Sequence, residues 1–299
     1  MARIVELLKA DKDLAQEQEM PDWCAPMLAT LTDDYFSDPR WIYERKLDGE
    51  RILTMCRDGD ITLYTRNKKT ANTPYPEIVS SLEHLELSNC ILDGEVVAFD
   101  NGVSSFAKLQ NRMHVSSVEQ AKQSDISVYY YLFDIIYYDG YLVTHVPLTR
   151  RKYALKHLIP FSDPIRYAAH RKEDGVTYHK QACEKGWEGI IAKDGTSTYV
   201  HSRSRKWLKF KCVHEQEFII IGYTEPQGER IGFGALLIAY YKDGTLTYGG
   251  RIGTGFDDDT LQELHKRFQD YRVPTSPLPE TEHEKVDDDA VYWLEPHFV

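Results

Sequence analysis

Cysteine is scarce in this chain. Cys24, Cys56, Cys90, Cys183 and Cys212 are the five among 299 residues. They are odd in number, widely spaced and form no C-x-x-C pair, which argues against a disulfide framework and against a zinc site. A reducing, intracellular setting is expected, cytoplasm or nucleoid if the source is prokaryotic. Long apolar runs are missing too. The most apolar stretches, near 218–223 and 235–241, fall far short of the roughly 20 residues that cross a bilayer, and the opening MARIVELLKADKDL carries charges inside its apolar stretch. Neither a membrane partner nor a secretory signal is expected. Positive charge is outweighed, with 36 Lys and Arg against 47 Asp and Glu for a net −11. That argues against a protein that coats nucleic acid indiscriminately but leaves room for a local basic groove. The chain also lacks internal repeats and low-complexity tracts, which excludes a solenoid or a fibre.

What remains is an ordinary globular composition, 42% hydrophobic, 12% aromatic and 28% charged. At about 150 residues per domain the length fits two domains. Residues 3–18 read as a short helix with Ile4, Leu7 and Leu8 on one side, an appendage ended by Pro21 and Pro26. From Trp41 onward, WIYERKLDGERILTMC, DITLYTRN and CILDGEVVAFD are rich in β-branched and aromatic residues and predict strands. Helices are predicted at EIVSSLEHL and near 106–113, 148–158 and 174–186. After WLKFKC, the segments EFIIIGYTE, ALLIAYYKDGTLTYGGRIG and AVYWLEP, with one helix at DDTLQELHKRFQDY, predict about five short strands and a small barrel. The expected class is α+β: an N-terminal extension over 1–25, a first domain over 26–214 and a barrel over 215–299. The boundary is expected near His214 to Gln216, and PTSPLPETEHEKVDDD reads as an acidic loop.

The sharpest local feature is Lys46-Leu47-Asp48-Gly49-Glu50-Arg51, a K-x-D-G-x-R. D-G is also a common hairpin turn, and flanking cations are often merely solvated. The chemical reading makes Lys46 a nucleophile, which requires its amine to shed a proton, an event favoured by burial and nearby positive charge. Asp48 is expected on the same side of a strand as Lys46, where a carboxylate could hold a metal or a substrate group, and Arg51 offers a planar fork to a sugar hydroxyl or phosphate. Asp93-Gly94-Glu95 is read as ending the strand Cys90 to Leu92, and Glu188-Gly189 as preceding another strand. In Trp207-Leu208-Lys209-Phe210-Lys211 the alternation puts both lysines on one face and the apolar residues on the other, fit for a triphosphate or for a solvated edge strand.

In this order the pieces resemble the covalent nucleotidyltransferase superfamily of polynucleotide ligases and capping enzymes, and within it the ATP-dependent DNA ligases of the bacterial and archaeal end-joining type. KLDGER is similar to the nucleophile motif, TRN at 65–67 to the S/T-R-N segment, and LDGEVVAFD to the first glutamate motif. YLFDIIYYDG is similar to the adenine-stacking motif, EGIIAKDG to the second glutamate motif, WLKFKC to the paired-lysine motif and FAKLQNR to a further family stretch. The likeness runs from about Pro26 to Gly255. It implies an ATP-grasp-like domain of antiparallel sheets with helices, followed by a small OB-fold β-barrel.

The resemblance also implies roles. Lys46 attacks the α-phosphate of ATP, Glu44 meets the adenine amino group, Phe133 stacks on the base, and Arg51 with Glu95 holds the ribose. Lys209 and Lys211 neutralise phosphates, and Arg66, Glu188 and Ile190 complete the nucleotide site. A divalent metal, Mg²⁺ or Mn²⁺, is expected at Asp48, Glu95 or Glu188. Nicked double-stranded DNA is the expected partner, met by Arg203, Arg205, Lys206, Arg230 and Arg251, with end-joining or repair proteins as further partners and a monomer as the working state. Arg251 and the glycines around 250–255 read equally well as a tight barrel turn. No match to the family's final basic motif is found in the acidic stretch 280–299, so self-adenylation is expected to be slow. An RNA ligase, a GTP-using capping enzyme and a non-catalytic nucleic-acid-binding module are the competing readings.

Overall fold

The computed structural model describes residues 3–212, 218–226, 228, 230–242, 244–286 and 291–298. The chain divides into two compact units, Met1–Val213 and His214–Val299. The expected boundary near His214 to Gln216 lies outside the described residues.

The first unit holds two sheets. The larger has eight strands, with the path Gln16–Glu17, Tyr141–Leu142, Val128–Tyr138, Cys90–Asp100, Glu50–Arg57 and Asp60–Thr65 at its centre. The smaller has five, in the order His170–Lys172, Trp41–Arg45, Gly189–Asp194, Arg203–Lys211 and Leu28–Leu31. Pairing is antiparallel except for Ile165–Tyr167 against Val128–Tyr138 and Arg203–Lys211 against Leu28–Leu31. One predicted strand is therefore two: WIYER belongs to the small sheet and ERILTMCR to the large one, so the K-x-D-G segment crosses between them. Likewise the strand from Cys90 does not end at Asp93 but runs through Gly94 to Asp100.

Burial follows the period of two along each strand. Ile52, Leu92, Val96 and Leu132 of the large sheet pack outward on one core with Ile78 and Leu82 of helix Pro76–Glu83 and Ala154, Leu155 and Leu158 of helix Leu148–Leu158. Trp41, Tyr43, Ile190, Ala192, Leu208 and Phe210 of the small sheet pack outward on a second, with Tyr178 and Ala182 of helix Gly175–Glu184. A third core joins the inner faces through Ile42, Leu53, Met55, Ile91, Phe133 and Trp207. Arg151 binds Asp134 through two hydrogen bonds of 2.8 Å with both side chains fully buried, fixing helix Leu148–Leu158 to the strand carrying Phe133. The N-terminal helix Arg3–Leu8 is no appendage, because Ile4, Val5 and Leu8 are buried in the outer core of the large sheet.

The second unit is a five-stranded antiparallel sheet in the order Thr245–Ile252, Leu236–Lys242, Ile219–Thr224, Val291–Phe298 and Arg272–Val273. Helix Asp258–Phe268 closes one side through Leu261 and Phe268, in the manner of an OB-fold. The predicted acidic loop contains a short helix, Glu280–His283. Among the described residues no helix is long and apolar enough to cross a membrane.

Candidate active site

Because alternate residues of both sheets are spoken for by the outer cores, the remaining ones face each other across a cleft of about 210 Å³. Glu44, Lys46, Arg51, Arg66, Glu95, Phe133, Arg203 and Lys209 line it together with Lys193, Trp207, Ala168 and Ile191. Lys46 enters from the crossing between the sheets. Its backbone N–H donates to the Gly189 carbonyl at 2.9 Å. Gly49 is required here, since a Cβ would lie 2.2 Å from the Val96 carbonyl oxygen. The Lys46 ammonium pairs with Glu188, whose other carboxylate oxygen is 3.9 Å from Lys211 Nζ.

At the floor, the buried Glu44 carboxylate lies 2.5 Å from Lys152 Nζ and 2.6 Å from Lys193 Nζ. Burial opposes its ionisation, but the two ammonium groups win and hold the carboxyl below its ordinary range. Burial pushes Lys193 down to about 8 against the pull of Glu44. Lys193 also stands 4.1 Å from the Phe133 ring centroid and 4.0 Å from that of Trp207. Sequence reasoning missed Lys152 and gave Lys193 no role, although Lys193 follows Ile191 in the inward phase of its strand.

On the large sheet, Arg51 gives both prongs of its guanidinium to Asp93, at 2.5 and 2.6 Å, and a third bond to the Met27 carbonyl. Tyr199 donates to the same aspartate at 2.6 Å. The fork expected to hold a ribose is thus engaged within the protein, and Arg51 presents its face to Phe133, 4.5 Å from the ring centroid. Among the described residues Glu95 has no such partner. Burial, with Asp93 and Glu188 nearby, pushes its carboxyl up to about 7 against the attraction of Arg51 and Lys46. Glu95, together with Glu188 whose carboxylate pairs with Lys46, offers hard-oxygen donors that fit a divalent metal along with phosphate oxygens.

Several placements differ from expectation. Asp48 lies in the crossing and not in a strand; its carboxylate accepts from Phe106 N–H at 2.9 Å, at the start of helix Phe106–Met113. Among the described residues the one trio of His, Cys, Asp or Glu with donor atoms within 4.8 Å of one another is His179, Cys183 and Cys212, so Asp48, Glu95 and Glu188 form no preformed triad. The Ile190 side chain belongs to the outer core, and its neighbour Ile191 lines the cleft. Trp207 shares the inward face with Lys209, because only Leu208 and Phe210 carry the outward phase. Arg203 turns into the cleft and donates to the Ala29 carbonyl at 2.6 Å. Lys206 is 3.1 Å from Asp194, while Arg205 is exposed. Arg230 ties its own loop to the Phe233 and Gly253 carbonyls at 2.9 and 2.7 Å. Arg251 lines a small cavity with Thr224, Tyr248 and Lys285. Contrary to the expectation from spacing, Cys183 and Cys212 are joined by a disulfide; the two cysteines lie 29 residues apart, on a helix and just past a strand, and only the fold brings them together.

The family model for the ATP dependent DNA ligase domain matches residues 26–211, and that for the ATP dependent DNA ligase C terminal region matches 229–299. The chain belongs to the ATP-dependent DNA ligase family. It is 36% identical over 285 residues to the multifunctional non-homologous end joining protein LigD of Pseudomonas aeruginosa, covering 93% of this chain and 33% of that protein. It is 30% identical over 278 residues to DNA ligase 2 of Thermofilum pendens, covering 83% of this chain and 45% of the relative. The chain thus spans a third to a half of these relatives. Among solved structures, mycobacterial DNA ligase D complexed with ATP and MES matches with a TM-score of 0.59 at 29% identity, over 91% of this chain and 86% of that one.

Proposed function

We propose that this chain seals nicks between a 5′-phosphate and a 3′-hydroxyl in double-stranded DNA, at the expense of ATP, in end joining or repair. The observation that carries the reading is the position of Lys46: an amine paired with Glu188 and entering a cleft lined by Lys209 and Glu95, with an aromatic ring and a buried carboxylate at its floor. In the first transfer Lys46 Nζ attacks the α-phosphorus of ATP. A P–N bond forms, the P–O bond to pyrophosphate breaks, and the amine loses its proton. AMP then passes from Lys46 to the 5′-phosphate, and attack by the 3′-hydroxyl releases it.

In this reading Glu44 accepts from the adenine amino group, Phe133 stacks on the base, and Arg66 and Glu95 flank the sugar. Arg51 acts by fixing Asp93 and the rim around Phe133. Lys209 and Lys211 offset the charge that builds on phosphate oxygens, a contribution larger than proton transfer in such reactions. A divalent ion, Mg²⁺ or Mn²⁺, held by Glu95 and Glu188 would neutralise phosphate charge when bound. Arg205 and Lys206 in the first unit and Arg251 in the second are the proposed backbone-phosphate contacts, and the chain works as a monomer.

Intact-mass spectrometry after incubation with ATP and Mg²⁺ tests this: one added adenylyl group on Lys46, and closure of a labelled nick on a denaturing gel, are expected. Labelling by GTP in place of ATP, or joining confined to RNA, would overturn it.

A further inference from the structure

His179 and Cys183 stand four residues apart on helix Gly175–Glu184, so they share a side, and that side meets Cys212 just past the end of strand Arg203–Lys211. We propose that, once reduced, Cys183 and Cys212 together with His179 form a binding site for a thiophilic divalent cation, Zn²⁺ in the first instance, with a fourth position left for water.

The geometry supports a tetrahedral site. With Zn–S near 2.3 Å and Zn–N near 2.05 Å, ligands at the tetrahedral angle lie about 3.6 Å apart for N···S and about 3.8 Å for S···S. His179 Nε2 is already 3.5 Å from Cys183 Sγ. Only the two sulfurs need to part. The imidazole is held by the Tyr35 ring, with centroids 4.1 Å apart, and by Phe210 at 6.1 Å. His179 Nε2 now rests 3.0 Å from the Lys211 carbonyl, which also accepts from the Tyr35 hydroxyl at 3.0 Å. Ligation therefore takes Nε2 away from that carbonyl without orphaning it, because the Tyr35 hydroxyl still donates to it. Two thiolates and an imidazole select zinc-like ions over Mg²⁺, which sets this cluster apart from the carboxylates of the cleft. Its placement also has a consequence for the cleft: Cys212 N–H donates to the Glu188 carbonyl at 3.0 Å and Cys212 follows Lys211, so a bound ion would clamp the strand ends that carry both residues.

Loading starts from the disulfide. A phosphine reductant breaks the S–S bond, leaving two thiols and a phosphine oxide whose oxygen comes from water, and the cation then displaces the two thiol protons. The test uses the whole chain, reduced with a phosphine and titrated with Co²⁺. One equivalent should give strong visible bands and a near-ultraviolet sulfur-to-cobalt charge-transfer band, both erased by added Zn²⁺. Cys183→Ser and Cys212→Ser should abolish the charge-transfer band, and His179→Ala should weaken Co²⁺ binding at least tenfold, with far-ultraviolet dichroism verifying the fold and His179→Gln standing in if the alanine variant is unfolded. No thiolate band in the reduced parent, a band indifferent to these substitutions, or a disulfide that resists the phosphine in the folded chain would each overturn the proposal.

Discussion

Lys193 Nζ lies 2.6 Å from Glu44 Oε2, with the two side chains 2% and 4% exposed. Lys152 holds the other carboxylate oxygen, so one buried anion serves two buried cations. Removing the anion strands both, and breaking a buried pair from one side costs roughly 3–5 kcal/mol. Glu44→Gln should therefore lower the denaturant midpoint sharply, and Glu44→Gln combined with Lys193→Met should recover part of the loss. A single variant within 0.5 kcal/mol of the parent would show that the triad is solvated in solution.

The Arg51 fork on Asp93 gives a second expectation. A lysine keeps the charge but loses the planar two-pronged contact. Arg51→Lys should cost about 1.5–3 kcal/mol, the worth of one hydrogen bond to a charged group. ATP affinity per folded molecule, measured by calorimetry, should fall by less than that of Phe133→Ala. A large affinity loss without a stability loss would mean that Arg51 releases Asp93 to bind nucleotide directly.

Glu95 makes stability depend on pH. Its carboxyl is raised by burial from about 4.5 to about 7, so the folded state holds a proton that the unfolded state has released in that window. Its contribution is fully present below pH 4.5 and is lost as pH rises through 7. Melting without divalent cations should show Glu95→Gln gaining on the parent between pH 5 and 8. Parallel curves for the two proteins would show that the site is already neutralised by its cations.

Much of the architecture was legible because hydrophobic alternation is long and regular in strands such as Cys90–Asp100 and Val128–Tyr138. That Lys46, Lys209 and Phe133 would share one cleft was legible from ordered short motifs. What was not legible is which sheet each half of WIYERKLDGERILTMC joins: the inward phase passes from even positions (Ile42, Glu44) to odd ones (Arg51, Leu53, Met55) across the polar crossing, where no hydrophobic alternation marks the change. Lys152 was hidden because it lies far along the chain from Glu44, on a helix, and only the packing of helix Leu148–Leu158 on the sheet brings the two together. The same holds for Cys183 and Cys212, whose pairing depends on a helix meeting a strand end.

Lys46 is not the one lysine in the cleft among the described residues. Lys193 and Lys209 also line the cleft, so the nucleophile must be identified by chemistry and not by presence in the pocket. Lys193 is committed to Glu44, and Lys209 lies on strand Arg203–Lys211, whereas Lys46 is paired with Glu188, a carboxylate it shares with Lys211. Lys46→Ala should abolish adduct formation and the sealing of an ordinary nick, yet leave most of the joining rate on a nick that already carries a 5′-adenylate, because that step uses Lys209 and the carboxylates but no lysyl nucleophile. Rapid-quench assays of the two substrates separate the cases. An adenylyl adduct that persists on the Lys46→Ala protein would transfer the role to Lys193 or Lys209. Equal loss on both nicks would instead assign Lys46 to holding Glu188 in place, and Lys46→Arg, which retains that ion pair without a transferable amine, should then restore joining of the adenylated nick alone.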